Sequence, residues 1–166
     1  MVLGIDPGVA VTGYGFVRLD RGRPFFAEAG VLRTRATWET PRRLLAVAAG
    51  LEALLDRLPP AAVAIEGQFA DRNVRSALVL AQVRGAIMVT LARRDLLLTE
   101  YSPMEVKKAI TGYGRAEKEQ VREMVLRLLG TPRLDSPLDA YDALAIAICH
   151  AHTAGIRGAS PSPGSP

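Results

Sequence analysis

The chain has 166 residues, 49% of them hydrophobic, and its 21 Lys and Arg against 17 Asp and Glu give a net charge of +4 and an isoelectric point near 9.6. That length fits one domain with a core of its own, and the composition excludes a disordered polymer. No run of 18 apolar residues predicts a membrane span, no basic-then-apolar leader opens the sequence, and the single cysteine, Cys149, excludes an internal disulfide, so a cytoplasmic protein without a Cys/His zinc site is expected.

Val2 to Ile5 is a short apolar strand that ends at the turn signal Asp6-Pro7-Gly8. Val11 to Arg18, with Gly13 and Gly15 inside, and Pro24 to Arg35 read as two further strands of an antiparallel meander. Thr40-Pro41 opens a helix whose leucines keep helical spacing to Leu58, before Pro59-Pro60. Ala61 to Ile65 is a buried strand ending at Glu66. Asn73 to Arg93 is a long helix, apolar on almost every side between Ala77 and Leu91, which calls for cover on more than one face, from the rest of the domain or from a second subunit. Asp95 to Thr99 is a strand, Ser102-Pro103 opens a short helix to Ile110, and helices follow over Ala116–Leu129 and Pro137–Thr153. Strands followed by alternating strand and helix units predict an α/β domain with a mixed five-stranded sheet over residues 1–155, and the Ser/Pro/Gly composition of the end predicts a disordered tail over 156–166.

Four carboxylates stand out. Asp6 and Glu66 close two strands that, if parallel neighbours, bring both to one sheet edge. Asp139 and Asp142 are three apart on the last helix and share a face, opposite apolar contacts expected from Leu138, Tyr141, Leu144, Ala145 and Ile148. Each has an ordinary alternative: Asp6 as a turn residue, Asp139 in a capping box begun by Ser136, Asp142 as an acid favoured near a helix start. Glu66 directly follows Ala-Val-Ala-Ile and needs a partner of its own. Together the four balance two divalent cations, and all-oxygen donors select Mg²⁺ or Mn²⁺ over zinc. Two such ions about 4 Å apart stabilise the attacking and leaving oxygens of phosphodiester hydrolysis. With these four set aside, 13 acidic residues face 21 basic ones, a net of +8 suited to a polyanion.

At these positions the sequence resembles the RuvC family of bacterial Holliday junction resolvases. The matching pieces are Gly4-Ile5-Asp6-Pro7-Gly8, Thr12-Gly13-Tyr14-Gly15, Ala64-Ile65-Glu66, Ser76-Ala77-Leu78, Arg84-Gly85, Ala116-Glu117-Lys118 and Asp139 to Ala147. The resemblance implies an RNase H-like fold and a homodimer with two sites that nick opposed strands of a four-way DNA junction, using Mg²⁺ and a water nucleophile. It implies Asp6, Glu66, Asp139 and Asp142 as metal ligands, two ions per site, and RuvA and RuvB branch-migration proteins as partners. Lys107 and Lys118 match lysines near the scissile phosphate, and Lys108 could share that work. Phe69 matches an aromatic that stacks on junction bases, although Gly67-Gln68 before it departs from the family pattern. Arg72, Asn73, Arg75 and Ser76 follow at a helix start suited to phosphate. His150 and His152 read as ordinary helix residues and Cys149 as a small buried one.

Three other functions compete. A four-carboxylate site does not choose its substrate, so an RNase H-like enzyme on RNA–DNA hybrids or another branched substrate is one. An actin-like ATPase also opens on a Gly-x-Asp-x-Gly turn, but needs two such domains and this chain has a single copy. A junction-binding protein without catalysis would not need four intact carboxylates.

Overall fold

The computed structural model describes residues 1–67, 74–131 and 134–158, with side chains described up to residue 153. The elements run β1 (Val2–Asp6), β2 (Val11–Asp20), β3 (Arg23–Arg33), α1 (Thr40–Arg57), β4 (Ala62–Glu66), α2 (Val74–Ala92), β5 (Leu98–Tyr101), α3 (Pro103–Thr111), α4 (Lys118–Leu129) and α5 (Leu138–Gly158). Five strands form one mixed sheet in the order β3-β2-β1-β4-β5. The first three pair antiparallel, and β4 and β5 lie parallel to β1 and to each other.

Strand periodicity sorts the core into two layers. Leu3, Ile5, Phe16, Val63 and Ile65 pack against Val47, Leu51, Leu54 and Leu55 of α1 and Val83, Ile87 and Leu91 of α2. Val2, Val17, Ala64 and Tyr101 face the opposite layer, made by α3, α4 and α5. Asp6 and Glu66 continue the alternation of Val2-Gly4 and Ala62-Ala64, so their side chains belong on the α5 face.

Helix α5 lies closer to the sheet than side chains on both surfaces would allow. Gly4 and Gly15 are paired across β1 and β2. A Cβ on Gly4 would sit 2.0 Å from the Ala143 carbonyl oxygen, and one on Gly13 would sit 2.1 Å from that of Asp139. Helix alanines meet strand glycines, and Ala140, Ala143 and Ala147 are fully buried. Of the apolar face expected for α5, Tyr141, Leu144, Ala145 and Ile148 are buried, and only Leu138, 56% exposed, departs from it; Ala140, Ala143 and Ala147 add small residues to the contact.

Two boundaries also move. The strand expected over Asp95–Thr99 begins at Leu98, because residues 93–96 form a turn that caps α2, with Asp95 at φ 54° and Leu96 N–H donating to the Leu91 carbonyl. Helix α5 runs to Gly158, three residues into the segment expected to be a tail.

Helix α2 is covered on one side only. Val83, Ile87 and Leu91 are buried, whereas Val74, Leu78, Met88 and Val89 are exposed. It is also long and apolar enough, by length and composition, to cross a bilayer, which its sequence did not lead us to expect. Arg84 at its middle speaks against a bilayer setting, where a central charge is costly.

Candidate active site

Asp6 is the last residue of β1 and Glu66 the last of β4; the parallel register pairing Ile5 with Ile65 sets them side by side at the carboxyl edge of the sheet. The glycine seat lays the first turns of α5 over this edge, which brings Asp139 and Asp142 to the same space. Charge coupling follows from the proximity. The Asp6 carboxyl is pushed up to about 7, first by burial and then by Glu66, Asp142 and Asp139. Burial also raises Glu66, with Asp142 adding to it. Asp142 is raised by burial and by Asp139, against Lys118 and Arg122.

Glu66 and Asp142 line a cleft of about 290 Å³ together with Lys107, Lys118, Pro103, Val106, Val121 and Ala145. Lys107 reaches it from α3, a helix fixed by a capping box between Ser102 and Glu105. Lys118 is the first residue of α4, directly after the N-cap Glu117. A cation at a helix N-terminus opposes the helix dipole, so its place is explained by the carboxylates ahead of it rather than by its own helix. Lys118 favours the charged forms of Asp6, Glu66 and Asp142, and Lys107 that of Glu66.

The loop after Asp6 is braced from both ends. The buried Thr12 hydroxyl donates to the Gly8 carbonyl at 3.2 Å. The Thr34 hydroxyl donates to the Val9 carbonyl at 3.0 Å, and the Arg43 guanidinium donates to the same oxygen.

Two further side chains beside the candidate site were not assigned roles from sequence. Arg84 of α2 donates to the backbone carbonyl of Glu66 and pairs with Glu100 at 2.9 Å. Arg122 of α4 faces Asp142. Arg84-Gly85 is visible as a motif, but a contact to a main-chain carbonyl leaves no side-chain signature. Arg122 lies one helical turn from Lys118, on the same face, and that spacing was the available signal.

The remaining expectations divide. Lys108 is exposed on α3 and does not line the cleft. Arg75 and Ser76 are exposed in the first turn of α2. Phe69, Arg72 and Asn73 lie outside the described residues. His150 is partly buried, with Nδ1 3.1 Å from the Tyr101 hydroxyl, and His152 is partly buried as well. Cys149 is buried, and burial pushes its thiol up to about 11.

The donors present suit a hard divalent cation: they are all carboxylate oxygens, and three of them resist ionisation in one another's company. Among the described residues, no three His, Cys, Asp or Glu side chains already stand as a closed ligand group. Charge coupling links Asp6 to Glu66, Asp142 and Asp139, and a divalent cation would relieve that repulsion.

Fold and site together define a nuclease of the RNase H-like class. The family profile described as "Crossover junction endodeoxyribonuclease RuvC" matches residues 2–150. The chain belongs to that family. A crossover junction endodeoxyribonuclease RuvC of Leifsonia xyli is 51% identical over 162 residues, covering 97% of this chain and 78% of the relative. One of Syntrophomonas wolfei is 47% identical over 152 residues, covering 92% and 88%. Among solved structures, T. thermophilus RuvC in complex with a Holliday junction substrate superposes with a TM-score of 0.89 at 34% identity, covering 97% of this chain and 98% of that one. The yeast mitochondrial Holliday junction resolvase shares the fold at a TM-score of 0.71 and 14% identity, covering 95% and 80%.

Proposed function

We propose that the chain works as a homodimeric Holliday junction resolvase, a Mg²⁺- or Mn²⁺-dependent endonuclease that places paired nicks in four-way DNA junctions. The observation that carries it is the convergence of Asp6, Glu66, Asp139 and Asp142 from three elements on one sheet edge, with Lys107 and Lys118 facing the same cleft. The residues act in different ways. Asp6, Glu66, Asp139 and Asp142 hold the cations. Lys107 and Lys118 meet the scissile phosphate from the α3–α4 side and counter charge that builds on its oxygens. Bound as a pair, the cations would supply an activated water and stabilise the leaving oxygen.

Dimerisation rests on α2. Val74, Leu78, Ala81, Gly85, Val89 and Ala92 recur at helical spacing, and Val74, Leu78 and Val89 are 73%, 62% and 61% exposed. Among the described residues, no side chain of the same protomer approaches the Cβ position of Gly85, which leaves room for close helix contact. A second copy presenting the same stripe would cover it isologously and hold two sites for two opposed strands. Cooperation with RuvA and RuvB is supported by family membership.

Incubating a synthetic four-way junction with Mg²⁺ and mapping the nicks tests the function. Symmetric nicks in opposed strands, with linear duplex and RNA–DNA hybrid left intact, are expected. Cleavage of hybrid with the junction intact would overturn the junction assignment.

A further inference from the structure

A cationic cluster sits on the same sheet edge as the carboxylates, at the opposite end from Lys107 and Lys118. The segment joining β3 to α1 and entering α1 carries Arg33, Arg35, Arg42 and Arg43 against one acid, Glu39. Its Trp38 indole carries two guanidinium groups, that of Arg42 at 4.6 Å from the ring centroid and that of Arg35 at 5.8 Å. Arg33, Arg35 and Arg42 are exposed, and among the described residues no carboxylate lies within ion-pair distance of them.

The topology fixes where this cluster points. β2 is antiparallel to β1 and β3 to β2, so β3 ends at the edge where β1 delivers Asp6; Val11 pairs with Arg33 there. The segment is tied to the loop that follows Asp6: Thr34 N–H donates to the Ala10 carbonyl at 2.9 Å, and Thr34 and Arg43 both donate to the Val9 carbonyl. Two strand spacings, about 10 Å, separate β3 from β1. The carboxylates are therefore flanked by cations on both sides along the edge.

Arginines without carboxylate partners, spread on an aromatic ring, lose little rotamer freedom on engaging an anion, and their planar forks match phosphate oxygens. We propose that Arg35 and Arg42, held by Trp38, form a phosphate-binding platform for the DNA arm that leaves the active site on the β3 side. The platform rests on the junction-nuclease reading above. It engages backbone rather than bases, so it adds affinity without sequence preference.

The test is junction binding by the full-length protein in Ca²⁺, with Arg35→Ala/Arg42→Ala and Trp38→Ala variants, across a salt series, alongside single-turnover cleavage in Mg²⁺ at saturating protein. The double variant is expected to weaken binding by about tenfold and to flatten the log Kd against log salt slope by about 0.9 for each phosphate that is no longer neutralised. Trp38→Ala should reproduce much of this, and Arg35→Lys/Arg42→Lys should restore most of the slope, since charge is kept. Single-turnover cleavage at saturation should change by less than about twofold. Unchanged affinity and slope would overturn the platform. So would a fall in the saturated cleavage rate that matches the fall in affinity, which would mark a general disturbance of the site. If the unsubstituted protein neither binds nor cuts the junction, it is the underlying functional reading that fails.

Discussion

Arg84 on α2 donates from its guanidinium to the main-chain carbonyl of Glu66, while its other terminal nitrogen lies 2.9 Å from the Glu100 carboxylate on β5. One side chain thereby joins the helix with the bare apolar stripe to the strand end that carries a metal-binding candidate. Glu100 pairs with Ile65, which places it on the α2 side of the sheet, away from the cleft.

Arg84→Ala should therefore loosen the carbonyl at the end of β4. Leaving such a group unpaired costs about 1–3 kcal/mol, or roughly 2–4 °C of melting temperature per kcal/mol in a chain of this size. Single-turnover cleavage should fall more than junction affinity does, with partial recovery in Arg84→Lys. Equal losses in both would show that Arg84 supports DNA binding rather than the placing of Glu66.

The carboxylate cluster predicts an inverted pH dependence in the metal-free protein. Asp6 titrates near 7 when folded against an ordinary 3.8. Between those values the folded chain holds a proton that the unfolded chain has released. Stability should thus fall as pH rises from about 5 to 7, by up to about 1.4 kcal/mol per pH unit from this group alone. Glu66 and Asp142 are shifted in the same direction. Glu28 and Glu105 are held below their ordinary 4.5 by partners, so their titration is complete before this window. Melting curves in EDTA across pH 5–8 check the trend, and Asp6→Asn should flatten it.

Divalent cations should offset part of that cost. Mg²⁺ at ten times its dissociation constant adds about 1.4 kcal/mol by mass action, and more of it at pH 8 than at pH 6, where a proton competes for Asp6. A melting temperature indifferent to Mg²⁺ at pH 8 would count against a clustered metal site.

Asp6→Asn should abolish nicking and leave junction binding largely intact, because affinity comes mainly from basic residues. Lys118→Ala should lower the cleavage rate more than the affinity, since its ammonium faces the carboxylates. Gel-shift and cleavage measurements on the same junction separate the two effects.

On α2, Leu78→Asp or Val89→Asp puts a charge into the exposed stripe. Light scattering should then report a monomer for these variants and a dimer for the unsubstituted protein. Because neither side chain is buried in the protomer, the fold itself should survive.

Much of this could be read from the residues. Asp6 and Glu66 each close a strand, which set both at one sheet edge on the condition that the strands are parallel neighbours, as they are. The meander, the mixed sheet and the limits of α1 followed from turn residues, spacing and element order. Local pattern did not show how closely α5 would lie. Gly13 and Gly15 were read only as part of a strand, whereas they make room for a helix more than a hundred residues away. Arg84 was missed for a related reason, since its partner is a main-chain oxygen. The start of β5 was misplaced because the turn after α2 takes up residues that propensity alone assigned to a strand.

The helix on the glycine seat is the last one described, and that has a consequence for biosynthesis. During synthesis Asp6 and Glu66 emerge early, while Asp139 and Asp142 emerge with the helix that covers the sheet beneath them. A nascent or interrupted chain lacking α5 has an uncovered β1–β2 face and only half of its carboxylates. The same segment thus completes the packing of the sheet and supplies two of the four proposed metal ligands, so a partial product is expected to leave DNA uncut.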